Sequence, residues 1–237
     1  MPLEGKLEAE KPWVFDEAVA AKFDDMLERS IPEYETMREL TTLVASSTLD
    51  RPGLVVDLGC SRGEALAPLV ELAGARQDLR FLGYEVSPPM VAAAEERFAG
   101  DDRVEILFRD LRDGIPPATY PCNAILSVLT MMFVPVNYRA KLLDDVYRSL
   151  RPGGVFVLVE KVLSSPKLDD LFNANYHLRK TSTGYTPDEI QRKRLALEGV
   201  LVPSDAASNR NALWRAGFRE VDAFWRWFNF EGLVAVR

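Results

Sequence analysis

Residues 54–66 read LVVDLGCSRGEAL, and the fold turns on how this stretch is read. Leu54 to Leu58 is a short apolar run, the composition of a strand buried on both faces. Gly59 and Gly63 then interrupt it, and Glu64 to Ala73 has the pattern of a helix. Two kinds of site use a strand, a glycine turn and a helix in this order. Gly59, Ser61 and Gly63 spell G-x-S-x-G, the elbow that presents a serine nucleophile. The same turn also suits a ligand that must approach the backbone closely, because glycine brings no Cβ into its path.

Upstream, Asp16 to Leu49 is helical in pattern. Phe15, Val19, Phe23, Met26 and Leu27 fall on one side, and Ser30-Ile31-Pro32 breaks the run before a second helix through Leu40 and Leu43. Downstream, strands are expected at Arg80 to Tyr84, Val104 to Phe108, Ala124 to Leu129 and, after the turn Arg151-Pro152-Gly153-Gly154, Val155 to Glu160. A helix opened by Ser87-Pro88-Pro89 and another over Tyr138 to Leu150 lie between them. Strands alternating with helices predict a parallel sheet. Helices follow at Leu171 to Arg179, Asp188 to Leu197 and Ala207 to Ala216. The last two strands, Val221 to Asn229 and Gly232 to Val236, are too close together for a parallel crossover and must pair antiparallel. The expected fold is therefore α/β, a Rossmann-like sheet of the class I methyltransferase type, mostly parallel with an antiparallel C-terminal hairpin. Its expected organisation is one domain over 1–237: a helical cap at 13–50, a cofactor-binding core at 51–162, and substrate-side helices with the hairpin at 163–237.

This order weighs on the opening stretch. Ser61 and His177 follow the hydrolase sequence of nucleophile before histidine, but only one strand precedes Ser61 and no oxyanion-loop sequence lies upstream. In the nucleotide reading, Glu85 at the end of the second strand stands where an acid accepts both ribose hydroxyls. Asp110 closes the third strand, within expected reach of an adenine amino group. Taken singly, each acid is as well explained as a helix cap or a solvated loop residue. The turn lacks the G-x-G-x-x-G that a pyrophosphate usually wants. S-adenosyl-L-methionine (SAM) has no phosphate, and Asp57 is placed to attract the ammonium of its amino-acid tail.

Composition narrows the class. The 237 residues carry a net charge of −7, which argues against a basic nucleic-acid-binding face and agrees with a cytoplasmic protein. The run Arg192-Lys193-Arg194 is, on spacing alone, a solvated helix turn. Cys60 and Cys122 are the only cysteines and lack metal-site spacing, and His177 is the only histidine, so no metal site is expected. No apolar run reaches membrane-spanning length, and no membrane association is expected.

From Trp13 to its end the sequence resembles the carboxy-SAM synthases, bacterial enzymes of the pathway to 5-oxyacetate at the tRNA wobble uridine. The resemblance rests on W-V-F-D-E-A-V-A at Trp13, R-S-I-P-E-Y ending at Tyr34, D-L-G-C-S at Asp57 and S-P-P-M at Ser87. It continues with R-P-G-G at Arg151, V-E-K at Val159, G-Y-T-P-D-E-I-Q-R-K-R-L-A-L-E from Gly184 and F-N-F-E-G-L-V-A-V from Phe228. The N-terminal and C-terminal stretches are the specific ones, since D-L-G-C-x-x-G occurs across methyltransferases.

The resemblance implies conversion of SAM and prephenate to carboxy-SAM and phenylpyruvate, with SAM and carboxy-SAM as the bound cofactors and a homodimer as the expected assembly. It implies cofactor contacts from Tyr34, Gly59, Cys60 and Ser61, from Glu85 and Val86, and from Asp110, Leu111 and Arg194. Glu85 replaces the family's usual Asp, and Ser127 replaces its usual Asn at the end of the fourth strand. Arg194 is the discriminating residue, because ordinary SAM carries no anion on its methyl group, and a guanidinium pairs the carboxylate that carboxy-SAM has there or that prephenate brings. Arg194 and Tyr34 are accordingly the expected catalytic pair, with no direct nucleic-acid contact required of a diffusible product. His177, Tyr176 and Tyr185 are weaker candidates for the pocket. The aromatics of F-W-R-W-F-N-F suggest one core face and one oligomer face. A plain SAM-dependent O- or C-methyltransferase of a small molecule uses the same sheet and is the alternative. S-V-L-T-M-M-F-V-P lacks the N-P-P-Y type that grips an amine or amide. A SAM-binding regulatory subunit is the non-enzymatic alternative, which no residue favours.

Overall fold

The computed structural model describes residues 13–20, 22–116 and 120–237. The helical start is divided where a single run was expected: α1 (Glu17–Ala20) and α2 (Phe23–Ser30) are separate, with Lys22 at φ −120° and ψ 14°, outside the helical region. The break before α3 (Tyr34–Ser46) lies at Ile31-Pro32-Glu33, as the proline suggests, and Glu33 is left-handed at φ 48°. Met37, Thr41 and Ala45 recur at every fourth position of α3 and are all buried, so this helix lies with one face on the core.

The α/β order then follows. The elements are β1 (Gly53–Leu58), α4 (Ala67–Leu72), β2 (Leu79–Glu85), α5 (Pro88–Arg97), β3 (Val104–Phe108), β4 (Cys122–Val128), α6 (Val136–Ser149) and β5 (Leu150–Leu163). After them come α7 (Pro166–Ser182), α8 (Pro187–Ala196), β6 (Ser204–Asp205), α9 (Ala206–Ala216), β7 (Glu220–Trp227) and β8 (Phe230–Val236). The main sheet runs β3-β2-β1-β4-β5-β8-β7, with the first five strands parallel and β8 antiparallel to both β5 and β7. The chain thus reverses its strand order after β3, and the crevice at such a reversal is where open α/β sheets bind ligands.

Every residue of β1 is buried, which its continuous apolar run required. Separate hydrophobic clusters cover the two faces, one containing Met37, Leu66 and Phe81, the other Ile125, Phe156 and Phe218. Two expectations change at element ends. Arg151 to Gly154 belongs to β5, whose register with β4 shifts between Cys122 and Ala124, instead of forming a turn that precedes the strand. The short β6 had no sequence signal; it forms because Ser204 and Asp205 pair with Val162 and Leu163 at the end of β5.

Candidate functional site

Gly59 continues β1 into the turn with φ 72°, and a Cβ there would stand 2.4 Å from Cγ2 of Thr130. Glycine is therefore needed both for the left-handed backbone and for the approach of the loop after β4. The backbone N–H groups of Gly59 and Cys60 both donate to Tyr84 O, at 2.8 and 2.9 Å. Ser61 follows at φ 51°. The helix begins later than expected: residues 61–66 are turns, and α4 starts only at Ala67.

Glu85 anchors this turn. One carboxylate oxygen accepts the Ser61 N–H at 2.9 Å; the other accepts Val86 N–H at 2.8 Å and Ser87 N–H at 2.9 Å. A single buried acid thus holds the β1 and β2 loops in register. Asp110 combines the two roles left open for it. It lines the cavity, yet it also caps the 3₁₀ turn Leu111–Asp113 through Arg112 N–H and pairs with the Arg112 guanidinium, which holds its carboxyl below the usual range.

These loops open into a cavity of about 860 Å³ beside the glycine turn. Asp57, Gly59, Cys60 and Ser61 line it, with Glu85, Val86, Asp110 and Leu111 beside them and Tyr34 and Arg194 from the helices. Two expected site residues are not brought there. Gly63 faces Phe98 instead: a Cβ would stand 2.4 Å from the Phe98 ring, so its glycine serves packing. Ser127 is wholly buried inside β4, and its hydroxyl is unpartnered. The G-x-S-x-G reading also loses its base, since Ser61 Oγ lies 3.5 Å from Met90 Sδ and has no hydrogen bond to His177.

Asp57 is the test of fit for a SAM-like tail. Its carboxyl is fully buried, with one oxygen unpartnered. Burial, reinforced by the charges of Glu64 and Glu85, pushes its pKa up to about 8. An ammonium group is the partner such a carboxyl lacks, and Glu85 and Asp110 extend the same acidic wall. The residues present fit SAM.

The opposite wall is basic, and the sequence reading overlooked most of it. Lys161 stands near the end of β5, Lys180 on α7 and Lys193 on α8; all three line the cavity. Tyr176 lies between two of them, its ring centre 5.1 Å from Lys161 Nζ and 4.6 Å from Lys180 Nζ. Tyr185 is 5.7 Å from Lys180 Nζ and 5.6 Å from Lys193 Nζ, and Trp13 is 5.4 Å from Lys193 Nζ. Lys180 is only 6% exposed, and burial followed by the charges of Lys193 and Lys161 lowers its pKa to about 7. Burial, then Arg29, lowers that of Lys193 to about 8. His177 lines the same wall. Burial, then Lys180, Lys161 and Arg194, holds its pKa below the ordinary histidine value. Arg194 itself is exposed at the rim, donating to Gln191 Oε1 at 3.1 Å. The missed signal was the spacing Tyr176–Lys180 and Ile190–Lys193–Leu197, which puts lysines on the inward faces of two helices.

The N-terminal segment closes the cavity from above. Trp13 N–H donates to Ala196 O at 3.0 Å, Phe15 O accepts from Ser87 Oγ at 2.6 Å, and the Phe15 ring packs edge-on against Phe23 and Phe133. No helix among the described residues is long and apolar enough to cross a membrane, and none of their His, Cys, Asp and Glu side chains form a metal-holding group.

A sequence family described as a methyltransferase domain matches residues 55–154. The chain is 39% identical over 227 residues to a protein of Methylococcus capsulatus named carboxy-S-adenosyl-L-methionine synthase, covering 94% of this chain and 93% of that one. It is 38% identical over 231 residues to a protein of the same name from Wolinella succinogenes, covering 96% and 95%. Among solved structures, an O-methyltransferase family protein from Burkholderia thailandensis superposes with a TM-score of 0.68 at 16% identity, over 98% of this chain and 65% of that one. Magnesium protoporphyrin IX methyltransferase from Synechocystis, solved with bound SAH, superposes at 0.61 and 15% identity, over 94% and 95%. At these identities the structural likenesses speak for the fold.

Proposed function

The chain belongs to the carboxy-S-adenosyl-L-methionine synthase family, on the SAM-dependent methyltransferase fold, and from that premise we propose that it converts SAM and prephenate to carboxy-SAM and phenylpyruvate. In that reaction prephenate gives up carbon dioxide and its ring hydroxyl as the ring becomes aromatic. The hydroxyl and one proton of the SAM methyl group leave as water, and the carbon dioxide takes the proton's place.

The observation that carries the reading is the opposed charge of the cavity walls. SAM brings a sulfonium cation, and a basic wall facing it is unfavourable unless the second substrate is an anion. Lys161, Lys180, Lys193 and Arg194 form such a wall. We assign the SAM tail to Asp57, the ribose to Glu85 and the adenine to Asp110 and Leu111. Arg194 has no carboxylate within ion-pair distance among the described residues, and we assign it the carboxylate of the product. Tyr34 presents a hydroxyl whose pKa burial pushes up to about 12, so it serves the reactive end as an un-ionised donor. The apolar side chains of Phe15, Met26, Leu27 and Phe133 exclude water, which keeps released carbon dioxide beside its acceptor at high effective concentration.

The product is the carboxylated cofactor used for tRNA wobble-uridine 5-oxyacetate, and we assign the chain to supply it in the cytoplasm without binding RNA itself. The exposed Phe228, its ring centre 5.1 Å from that of Phe172 and tilted by 32°, with the exposed Leu168 and Leu171 on the same helix as Phe172, supports pairing into a homodimer. The deciding experiment is the mass of the small molecule released from the denatured protein after incubation with SAM and prephenate. A species heavier than SAM by one carbon dioxide is expected; SAM or S-adenosylhomocysteine alone overturns the reading in favour of plain methyl transfer.

A further inference from the structure

Lys161, Lys180 and Lys193 come from three different elements and converge on one wall. Among the described residues no carboxylate lies within ion-pair distance of any of them. Among the described residues Lys161 and Lys180 make no hydrogen bond through Nζ, and Lys193 donates there only to Ser30 Oγ, at 3.1 Å. Asp169, the acid whose charge acts on Lys161, is already engaged by Asn173 Nδ2 at 2.8 Å and Ser164 N–H at 3.3 Å. Tyr176 and Tyr185 separate the ammonium groups and offer their ring faces, which offsets only part of the cost of burying them. Buried charge without a counter-charge marks a site that is incomplete without its ligand.

The ligand's charge follows from counting partners. The acidic residues Asp57, Glu85 and Asp110 lie on the opposite wall, where they suit the cationic and hydroxyl groups of SAM. The carboxylate that is transferred ends on SAM and has Arg194 at the rim. The carboxylate of the SAM tail is held within two bonds of its ammonium and so stays at the Asp57 end, where Arg38 also lines the cavity; nothing in that assignment neutralises the lysines. We infer that Lys161, Lys180 and Lys193 form a second anion site, which takes the carboxylate that the donor keeps, so that the enzyme selects dicarboxylates as carboxyl donors. This inference rests on the proposed carboxyl transfer. Lysine suits the task, because an ammonium is a compact charge on a flexible stem and tolerates a substrate whose shape changes as its ring flattens. Burial first, and the neighbouring cations second, lower the pKa values of Lys180 and Lys193, in keeping with that geometry.

The test compares binding of prephenate, a dicarboxylate, with phenylpyruvate, a monocarboxylate. Calorimetry is done on the full chain loaded with S-adenosylhomocysteine, which has no methyl group to react. The wild type is expected to bind prephenate at least about tenfold tighter, and Lys180→Met to bring the ratio near one. In turnover, Lys180→Met should raise the KM for prephenate about 30-fold, more than it lowers kcat, and Lys180→Arg should restore most of the loss. An unchanged ratio and KM in Lys180→Met, with carboxy-SAM still formed, overturns the anion site and leaves the proposed function standing. Tight dicarboxylate binding that depends on Lys180 in a protein making no carboxy-SAM upholds the site and overturns the function. Should Lys180→Met not fold, Lys161→Met is read by the same ratio.

Discussion

At the glycine-turn end of the cavity, the carboxylates of Glu85 and Asp110 already have backbone N–H or guanidinium partners, whereas at the far end Lys161 and Lys180 have no hydrogen-bond or ion-pair partner among the described residues. The acidic wall is built to hold loops in place and to keep one carboxyl, Asp57, in reserve. Among the described residues the basic wall is held by aromatic faces and by one hydrogen bond, from Lys193 Nζ to Ser30 Oγ. The difference teaches that the glycine-turn end is preorganised by the sheet, while the lysine end, on the reading proposed above, depends on its ligand for electrostatic balance. On that reading a cofactor end shared by many chemistries can be rigid, and an end that takes a carboxyl donor is where charge has to be left unsatisfied.

Reversing one charge should break the contrast most sharply. Lys180→Glu supplies the missing carboxylate from within, beside Lys161 and Lys193. Carboxy-SAM formation at low prephenate is expected to fall on the order of 10³-fold, as for loss and reversal of a buried charge partner. The ligand-free protein should at the same time melt several degrees higher, because the remaining ammonium groups gain a counter-charge. Initial rates and a melting curve on the same preparation check both, and a variant that loses activity without gaining stability would refute the incomplete-site account.

The acidic wall is probed by Asp57→Asn, which keeps shape and removes charge. SAM affinity should drop about 50-fold by calorimetry, while the preference for prephenate over phenylpyruvate stays. A smaller effect follows from protonation. Asp57 has a pKa of about 8 without ligand, so below that pH a proton must leave as an ammonium binds. SAM affinity should therefore rise about tenfold between pH 6.5 and 8, a slope that Asp57→Asn removes.

Stability of the ligand-free protein gives the gentlest test. Asp57 and Glu160 both have pKa values raised by burial to about 8, so their contribution is full below pH 4 and lost as pH rises through 8. Lys180 and Lys193 have lowered values, about 7 and about 8, so their contribution is full above their ordinary range near 10.5 and lost as pH falls through those values. The melting temperature should pass through a shallow minimum, a few degrees deep, near pH 7 to 8. Lys180→Met should flatten the alkaline arm and leave the acid arm in place.

The glycine-turn end of the cavity was legible in the sequence, and the reason is local. LVVDLG marks a buried strand and its turn, and the acids at Glu85 and Asp110 close strands whose boundaries the apolar pattern sets within a residue or two. The antiparallel ending was legible because so few residues separate the last two strands. What escaped depends on packing. Gly63 reads like a ligand-approach glycine until Phe98 is seen against it. Ser127 sits at the right strand but inside it, where its side chain faces the core. Lys180 and Lys193 are ordinary charges on helices α7 and α8 until the fold turns those faces inward. Arg194, singled out by its resemblance, turned out to stand at the rim beside them.

The strap from Trp13 to Phe15 has a consequence for synthesis. Its partners are Ser87 Oγ, 72 residues on, and Ala196 O, 183 residues on. Translation therefore delivers the strap before either partner, and its docking waits until Ala196 has been made. Such long-range closure is slow to form and cannot be completed by a partial chain still on the ribosome. The strap is thus made well before it can be fastened, and a closed cavity certifies that both Ser87 and α8 have reached their places.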